Sequence, residues 1–406
     1  MHIKLQVFTK LNNITALALV CLLSCGSATK DGDSKVQRLL PPTEQNTPPQ
    51  NRVDSSAAAP LGGYALQDFY ANKPELDKKV EAIFNAMSVE ERAAQMIMPA
   101  VADNSYGMPI ETFLQYYKAK KVGGVIFLRG TAANFGEYQK KIIAAANFGK
   151  ITKPIISADA EPSLIHYKFK DVLRMTPTSQ LKTATATQES ANKILVQLRK
   201  AGVNTNFAPV VDNNSNKAII GNRSFGSNGD TIVSLCGEFM KTHHRQNVAT
   251  VIKHFPGHGN VKGDTHKQLV SIYGNLTEID NFKRLIDAGA LGVMVGHLAI
   301  QKNARWSTNG QASTLSRNIV TSLLRDSLGF KGLVYTDAMN MGAVSKVPNA
   351  SFKAASAGID IVLMPLNIDS LHAQIVKELN AKSMLGNQFT ASIRRIIRMK
   401  ICLGLI

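Results

Sequence analysis

Val248-Ala249-Thr250-Val251-Ile252-Lys253-His254-Phe255-Pro256-Gly257-His258-Gly259 is the stretch on which the reading of this chain turns. Its first five residues are apolar or β-branched, the composition of a short buried strand. The Pro-Gly and Gly-Asn pairs that follow cannot continue a strand or start a long helix, so a polar cluster sits where a core strand opens into a loop. The loop continues to Asp264-Thr265-His266, and the fourteen residues from Lys253 hold three of the chain's nine histidines. Asp264, two residues from His266, can orient an imidazole and raise its basicity, which suits a general acid/base. A metal reading stands beside this one, because His254, His258, Asp264 and His266 are all possible ligands. The intervening Gly and Pro fit no helical His-x-x-x-His pair.

Outward from this strand, apolar runs of the same kind recur at Gln95–Met98, Val122–Leu128, Pro154–Ala158, Val203–Pro209, Leu291–Gly296, Gly332–Thr336 and Ile359–Met364. Helical patterns lie between them: about 133–147, 186–200, 231–246, 277–288, 316–327 and 369–380. Two more precede the first run. Pro74-Glu75 opens an amphipathic stretch to Met87, and Ser88 with Glu91 forms a capping box. Alternation of strand and helix implies a parallel sheet. Eight units point to an α/β fold of the (β/α)8 TIM-type barrel, in a single catalytic domain over 64–406. The rival doubly wound sheet lacks its Gly-x-Gly-x-x-Gly turn after the first strand. A barrel demands functional residues just past the strand ends, on one face. Arg129, Asp159 with Glu161, Asp212, Lys253 with His254, His297 and Asp337 all meet that demand.

The N-terminus reads as an export signal. Lys4 and Lys10 supply charge, and Ile14–Leu23 is apolar but too short to span a bilayer. Leu22-Leu23-Ser24-Cys25-Gly26 fits a lipoprotein signal over 1–24, with cleavage leaving Cys25 for a lipid anchor; a plain signal peptide with an incidental cysteine is the alternative. Residues 25–63, rich in Pro, Gln, Asn, Ser and Ala, cannot bury enough surface to offset ordering and read as a disordered tether. The expected location is the cell envelope, lipid-anchored in the periplasm or at the outer membrane. Of four cysteines only Cys236 and Cys402 remain in the domain, too few for a disulfide framework. The net charge of +18 suits anionic cell-wall polymer or membrane surfaces, or is simply a solvated basic surface. No nucleic-acid motif is present.

Asp337 lies in Val334-Tyr335-Thr336-Asp337-Ala338-Met339-Asn340, directly after an apolar strand, where a carboxylate can attack a ligand in the pocket or cap the following turn. A carboxylate plus a second acid/base group is what a retaining glycosidase needs. Here the second group is His266 paired with Asp264.

At these residues the chain resembles family 3 glycoside hydrolases of the single-domain β-N-acetylglucosaminidase branch. The resemblance runs from about residue 75 to the C-terminus. It rests on the 253–266 loop, Asn206–Asp212, Gly221–Gly226, Tyr335–Ala338 and Ala357–Asp360. It implies that Asp337 is a nucleophile forming a covalent glycosyl-enzyme, His266 the acid/base on a mobile loop, and Asp264 its partner. It further implies that Arg223, Lys253, His254 and Asp159 hold the sugar. The expected substrate is terminal β-linked N-acetylglucosamine on peptidoglycan fragments or chitin-type oligosaccharides, cleaved by a monomer without metal or organic cofactor. The chain departs from the family after Asp159-Ala160-Glu161. Pro162-Ser163 replaces glycines or Trp-Gly, and Tyr167 stands where an arginine is usual, with Lys168 or Lys170 as possible substitutes. The proline usual after the acid/base histidine is also missing near Val270-Ser271. A degenerate barrel that binds cell-wall sugar without cleavage, and a metal-dependent barrel hydrolase, are the alternatives.

Overall fold

The computed structural model describes residues 63–406. The signal peptide expected over 1–24, the expected anchor at Cys25 and all but the last residue of the expected tether fall outside the described residues.

All eight expected runs contain strands. β1 (Ile97–Met98) and β2 (Ala100–Val101) form one wall position interrupted at Pro99. β3 (Gly124–Phe127), β4 (Ile155–Ala158), β5 (Thr205–Asn206) and β6 (Ala249–Phe255) follow it. A second pair of strands, β7 (Val270–Tyr273) and β9 (Leu298–Gln301), stands outside the wall as a small parallel sheet. β8 (Gly292–Val295), β10 (Leu333–Thr336) and β11 (Val362–Leu363) complete the wall. The main sheet runs β10-β8-β6-β5-β4-β3-β2, all parallel. Its two ends meet through β11, which pairs with β1 and is bridged to β10 at Tyr335–Ile361. Val362 N–H donates to Met96 O at 2.8 Å and Thr336 N–H to Ile361 O at 3.2 Å. The wall is therefore a closed α/β TIM-type barrel. Every residue of β3, β4, β6, β8 and β10 is buried, as expected of parallel strands covered by helices on one face and filled by side chains on the other.

The helices start where their caps place them. α1 (Pro74–Ala86) has Pro at its first turn, and α2 (Val89–Ala94) closes the Ser88–Glu91 capping box. Helix α3 (Ile110–Lys118) falls outside the sequence expectation because Phe113, Tyr116 and Tyr117 resemble strand composition. α4 (Ala132–Gly149), α6 (Ala184–Lys200), α7 (Gly229–His244), α8 (Ile279–Asp287) and α10 (Ile368–Ala381) follow the expected order. A four-residue α5 (Ile165–Lys168) and the alanine-rich α9 (Ala350–Ala357) lack the apolar stripe that marks a helix in sequence. The 316–327 pattern forms a π-helix, Asn318–Ser327. The last helix, α11 (Met384–Cys402), carries buried Ile393, Ile396, Ile397 and Ile401 at helical spacing and packs on α1 and α10. Among the described residues no helix is long and apolar enough to cross a membrane.

Candidate active site

The C-terminal strand ends open into a cavity of about 510 Å3, lined by Arg129, Asp159, Lys168, Arg223, Lys253, His254, His258, His266 and Asp337 among others. Of the seven residues given a catalytic or sugar-holding role from the sequence, six line it; the seventh, Asp264, stands behind His266. The strand β6 explains how adjacent residues share one pocket. In a regular strand Lys253 and His254 would face opposite sides. The register against β8 slips between Lys253 and Phe255, as at a bulge, and both side chains line the cavity.

On one wall, two carboxylates and three cations interlock. Glu161, buried, receives Arg223 through two parallel bonds (Nε to Oε2 at 2.8 Å, Nη2 to Oε1 at 2.7 Å) and Lys253 Nζ at 2.6 Å. Lys253 also donates to Asp159 Oδ1 at 2.7 Å, while Lys168 Nζ stands 3.3 Å from Asp159 Oδ2. Burial alone would raise both carboxyls, but Lys253 with Lys168 at Asp159, and Arg223 with Lys253 at Glu161, hold them well below the usual carboxylate range. Lys168, not Lys170, is therefore the lysine at the site. Tyr167 and Lys170 are exposed.

At the centre, Asp212 is fully buried and accepts from three donors: His254 N–H, His254 Nδ1–H at 2.6 Å and His258 N–H at 2.7 Å. This fixes the His254 tautomer and leaves its Nε2 for the cavity. His258 accepts from Asn216 Nδ2 at 3.3 Å and donates from Nε2 to Thr265 Oγ1 at 3.1 Å, tying the strand end to the loop that bears His266. Under this loop, Glu278 accepts Asn213 N–H at 2.7 Å and Gly259 N–H at 3.1 Å. A Cβ on Gly257 or Gly259 would lie 2.6 Å from the Glu278 side chain, so glycine is required there. Burial and the neighbouring Asp212 push Glu278 up to about 8. Each imidazole of the cluster thus bonds to its own protein partner, and among the described residues no three His, Cys, Asp or Glu side chains converge as a metal site would.

On the opposite wall, Asp337 follows β10, half-buried, with Oδ1 accepting Ala338 N–H at 2.8 Å. Burial raises its pKa, but His254, His297, the Ala338 N–H and Lys253 more than offset this and hold it ionised. His297 donates from Nε2 to Ala338 O at 3.0 Å and accepts from Thr314 Oγ1 at 2.8 Å, which fixes the turn carrying Asp337. His266 is exposed and donates from Nδ1 to Asp264 Oδ1 at 2.8 Å, so Nε2 is its free nitrogen. Its loop is pinned to the turn beyond Asp337, because Gly342 N–H donates to His266 O at 3.0 Å and Ala343 N–H to Thr265 O at 3.3 Å. Gly342 permits that approach; a Cβ there would sit 2.4 Å from Lys267 O.

The closed parallel barrel thus opens at its strand ends into one charge-lined cavity that Asp337 and His266 share, with Asp264 bonded to His266 from behind. The glycosyl hydrolase family 3 N-terminal domain profile matches residues 88–399, and the chain belongs to that family. A β-hexosaminidase, LpqI, from Mycobacterium tuberculosis is 26% identical over 97% of this chain and 98% of its own length. β-Hexosaminidase A from Pseudoalteromonas piscicida is 31% identical, but the match covers 52% of this chain and only 40% of that enzyme. Among solved structures, a family 3 β-N-acetylglucosaminidase from a Paenibacillus species has a TM-score of 0.70 at 26% identity, over 79% of this chain and 63% of its own.

Glu278 carries no signal in the sequence: Thr277-Glu278-Ile279 reads as an ordinary acidic helix start, and only the fold reveals it beneath the loop. Glu161, Asp212 and His297 stand out as strand-end residues, but their role as supports for Arg223, His254 and Asp337 emerges from the packing.

Proposed function

We propose that the chain is a retaining β-N-acetylhexosaminidase that removes terminal β-linked N-acetylglucosamine from peptidoglycan fragments or chitin-type oligosaccharides. The observation that carries this reading is that Asp337 and His266 line one cavity of a family 3 barrel, with Asp264 hydrogen-bonded to His266 Nδ1 from behind. In the first step an Asp337 oxygen attacks the anomeric carbon as the bond to the leaving oxygen breaks, and His266 Nε2 gives that oxygen its proton. In the second, His266 takes a proton from water, the water oxygen attacks the same carbon, and the Asp337 carboxylate is released. Asp264 orients the ring through its bond with Nδ1. The Asp159–Lys253–Arg223 cluster and His254 present donors and acceptors to the sugar hydroxyls and N-acetyl group. No metal or organic cofactor takes part. Export and a lipid anchor at Cys25 would place the enzyme, as a monomer, in the cell envelope, where such glycans occur.

The test is chromophore release from an aryl N-acetyl-β-glucosaminide, with the aryl β-glucoside as control, by wild type, Asp337→Ala and His266→Ala. The reading expects turnover of the N-acetyl sugar that both variants lose. Absence of turnover from folded wild type would overturn it in favour of a sugar-binding barrel.

A further inference from the structure

Glu278 has no part in the scheme above and does not line the cavity. It is nonetheless 4% exposed, at the head of α8, beneath the loop that carries His266. Its carboxyl joins two stretches that are far apart in the chain. Oε1 accepts the N–H of Asn213, the residue after Asp212, and Oε2 accepts the N–H of Gly259. Beside it Asn260 Nδ2 donates to Thr277 Oγ1 at 2.6 Å, a second tie between the same two segments. With its carboxyl pushed up to about 8, Glu278 is uncharged at neutral pH, so it holds the loop without setting a second negative charge beside Asp212.

From this root the hold passes outward. Asn216 donates its N–H to Gly259 O at 2.6 Å and Nδ2–H to Gly263 O at 3.4 Å. His258 reaches Thr265 Oγ1 across the same base. The segment 259–265 is therefore closed at its foot, and the foot rests on Glu278. His266 has little support of its own: its side chain is largely exposed, bonded to Asp264 of the same loop. His254 is different, because it stands in β6, whose backbone pairs with β8, and is bonded directly to Asp212. Loss of the Glu278 carboxyl should thus fall on His266 more than on the sugar-facing strand ends.

We infer that Glu278 is a positioning residue for the acid/base: it seats the foot of the 257–266 loop on α8, so that His266 Nε2 is held where the leaving oxygen must be protonated. The inference rests on the glycosidase reading and adds to it a residue that lies outside the cavity.

The test compares wild type with Glu278→Gln and Glu278→Ala on two aryl N-acetyl-β-glucosaminides. A phenyl leaving group needs a proton as its bond breaks, whereas dinitrophenolate departs without one. A misplaced acid therefore slows release of phenol alone; a smaller folded fraction or a damaged sugar site slows both alike. In both variants kcat/KM for the phenyl glycoside should fall by about tenfold to a hundredfold, the cost of a small misplacement, and that for the dinitrophenyl glycoside by less than about threefold. Glu278→Gln keeps one acceptor and should lose less than Glu278→Ala. Hydrogen exchange over residues 260–267 should quicken by about tenfold or more in the alanine variant, with exchange in β6 unchanged. Equal losses on the two glycosides, or unchanged exchange in the loop, would overturn the inference. If wild type releases neither leaving group the glycosidase reading fails, and the exchange comparison still decides whether Glu278 seats the loop.

Discussion

Replacing Glu161 by Gln tests whether the charged wall of the cavity is held from behind. Glu161 is 1% exposed, accepts two bonds from Arg223, at 2.7 Å on Oε1 and 2.8 Å on Oε2, and pairs its charge with Lys253 Nζ 2.6 Å from Oε1. A glutamine of the same shape has one acceptor. Its better orientation keeps the oxygen toward Lys253 and turns the amide N–H groups against Arg223 Nε, donor facing donor. The negative charge that offsets two cations is lost as well. Breaking a buried pair on one side costs about 3–5 kcal/mol. For a domain of about 340 residues, an unfolding entropy near 2.1 cal/mol/K per residue makes this a fall in melting temperature of about 4–7 °C. The assay is thermal unfolding followed by circular dichroism at pH 7, with Arg223→Gln and the double variant completing a cycle. The cycle should return a coupling of about 2 kcal/mol or more. A loss below about 1 kcal/mol with no coupling, the behaviour of a solvent-screened pair, would refute the argument that this wall is held by Glu161.

Three further outcomes follow from the same geometry. Gly342→Ala forces a Cβ toward Lys267 O, from 2.4 Å, and must displace the loop of His266; kcat should fall by about tenfold to a hundredfold while the melting temperature changes little. Asp212→Asn turns amide N–H groups toward donors from His254 and His258 and should cost about 2–3 kcal/mol in urea unfolding, together with a raised KM. Glu278, pushed up to about 8, favours the protonated form when folded, so its contribution is complete below about pH 4.5 and is lost as pH rises through about 8. Wild-type stability relative to Glu278→Gln should therefore decline between pH 5 and 8.5, by on the order of a few kcal/mol, and a flat difference in urea midpoints would contradict this.

Strands with both faces buried are written as uninterrupted apolar runs, which is why Val125–Phe127, Ile155–Ala158 and Leu333–Thr336 were legible as barrel staves. Their polar termini were legible for the same reason: a charge at the end of such a run has nowhere to go but the open face. Helices whose apolar stripe is thin, as in Ala350–Ala357, or whose aromatics mimic a strand, as in Ile110–Lys118, were not. Nor was the side sheet of β7 and β9, because Val270–Tyr273 is half exposed and pairs only with a strand 28 residues on, from Val270 to Leu298. Within the site, the residues facing the cavity were legible and their supports were not. The bond from Glu278 to Gly259 spans 19 residues, and no local pattern records it.

The account turns on Asp337 as the group that bonds to sugar. Wild type is incubated with a 5-fluoro N-acetylglucosaminyl fluoride, a donor that loads quickly and hydrolyses slowly, and the intact protein is weighed before peptide mapping. The account predicts a mass increase of one fluorosugar per chain, confined to the peptide holding Val334–Met341 and carried by Asp337. An adduct on another residue, or an unmodified active enzyme whose sugar product has inverted configuration, would contradict it.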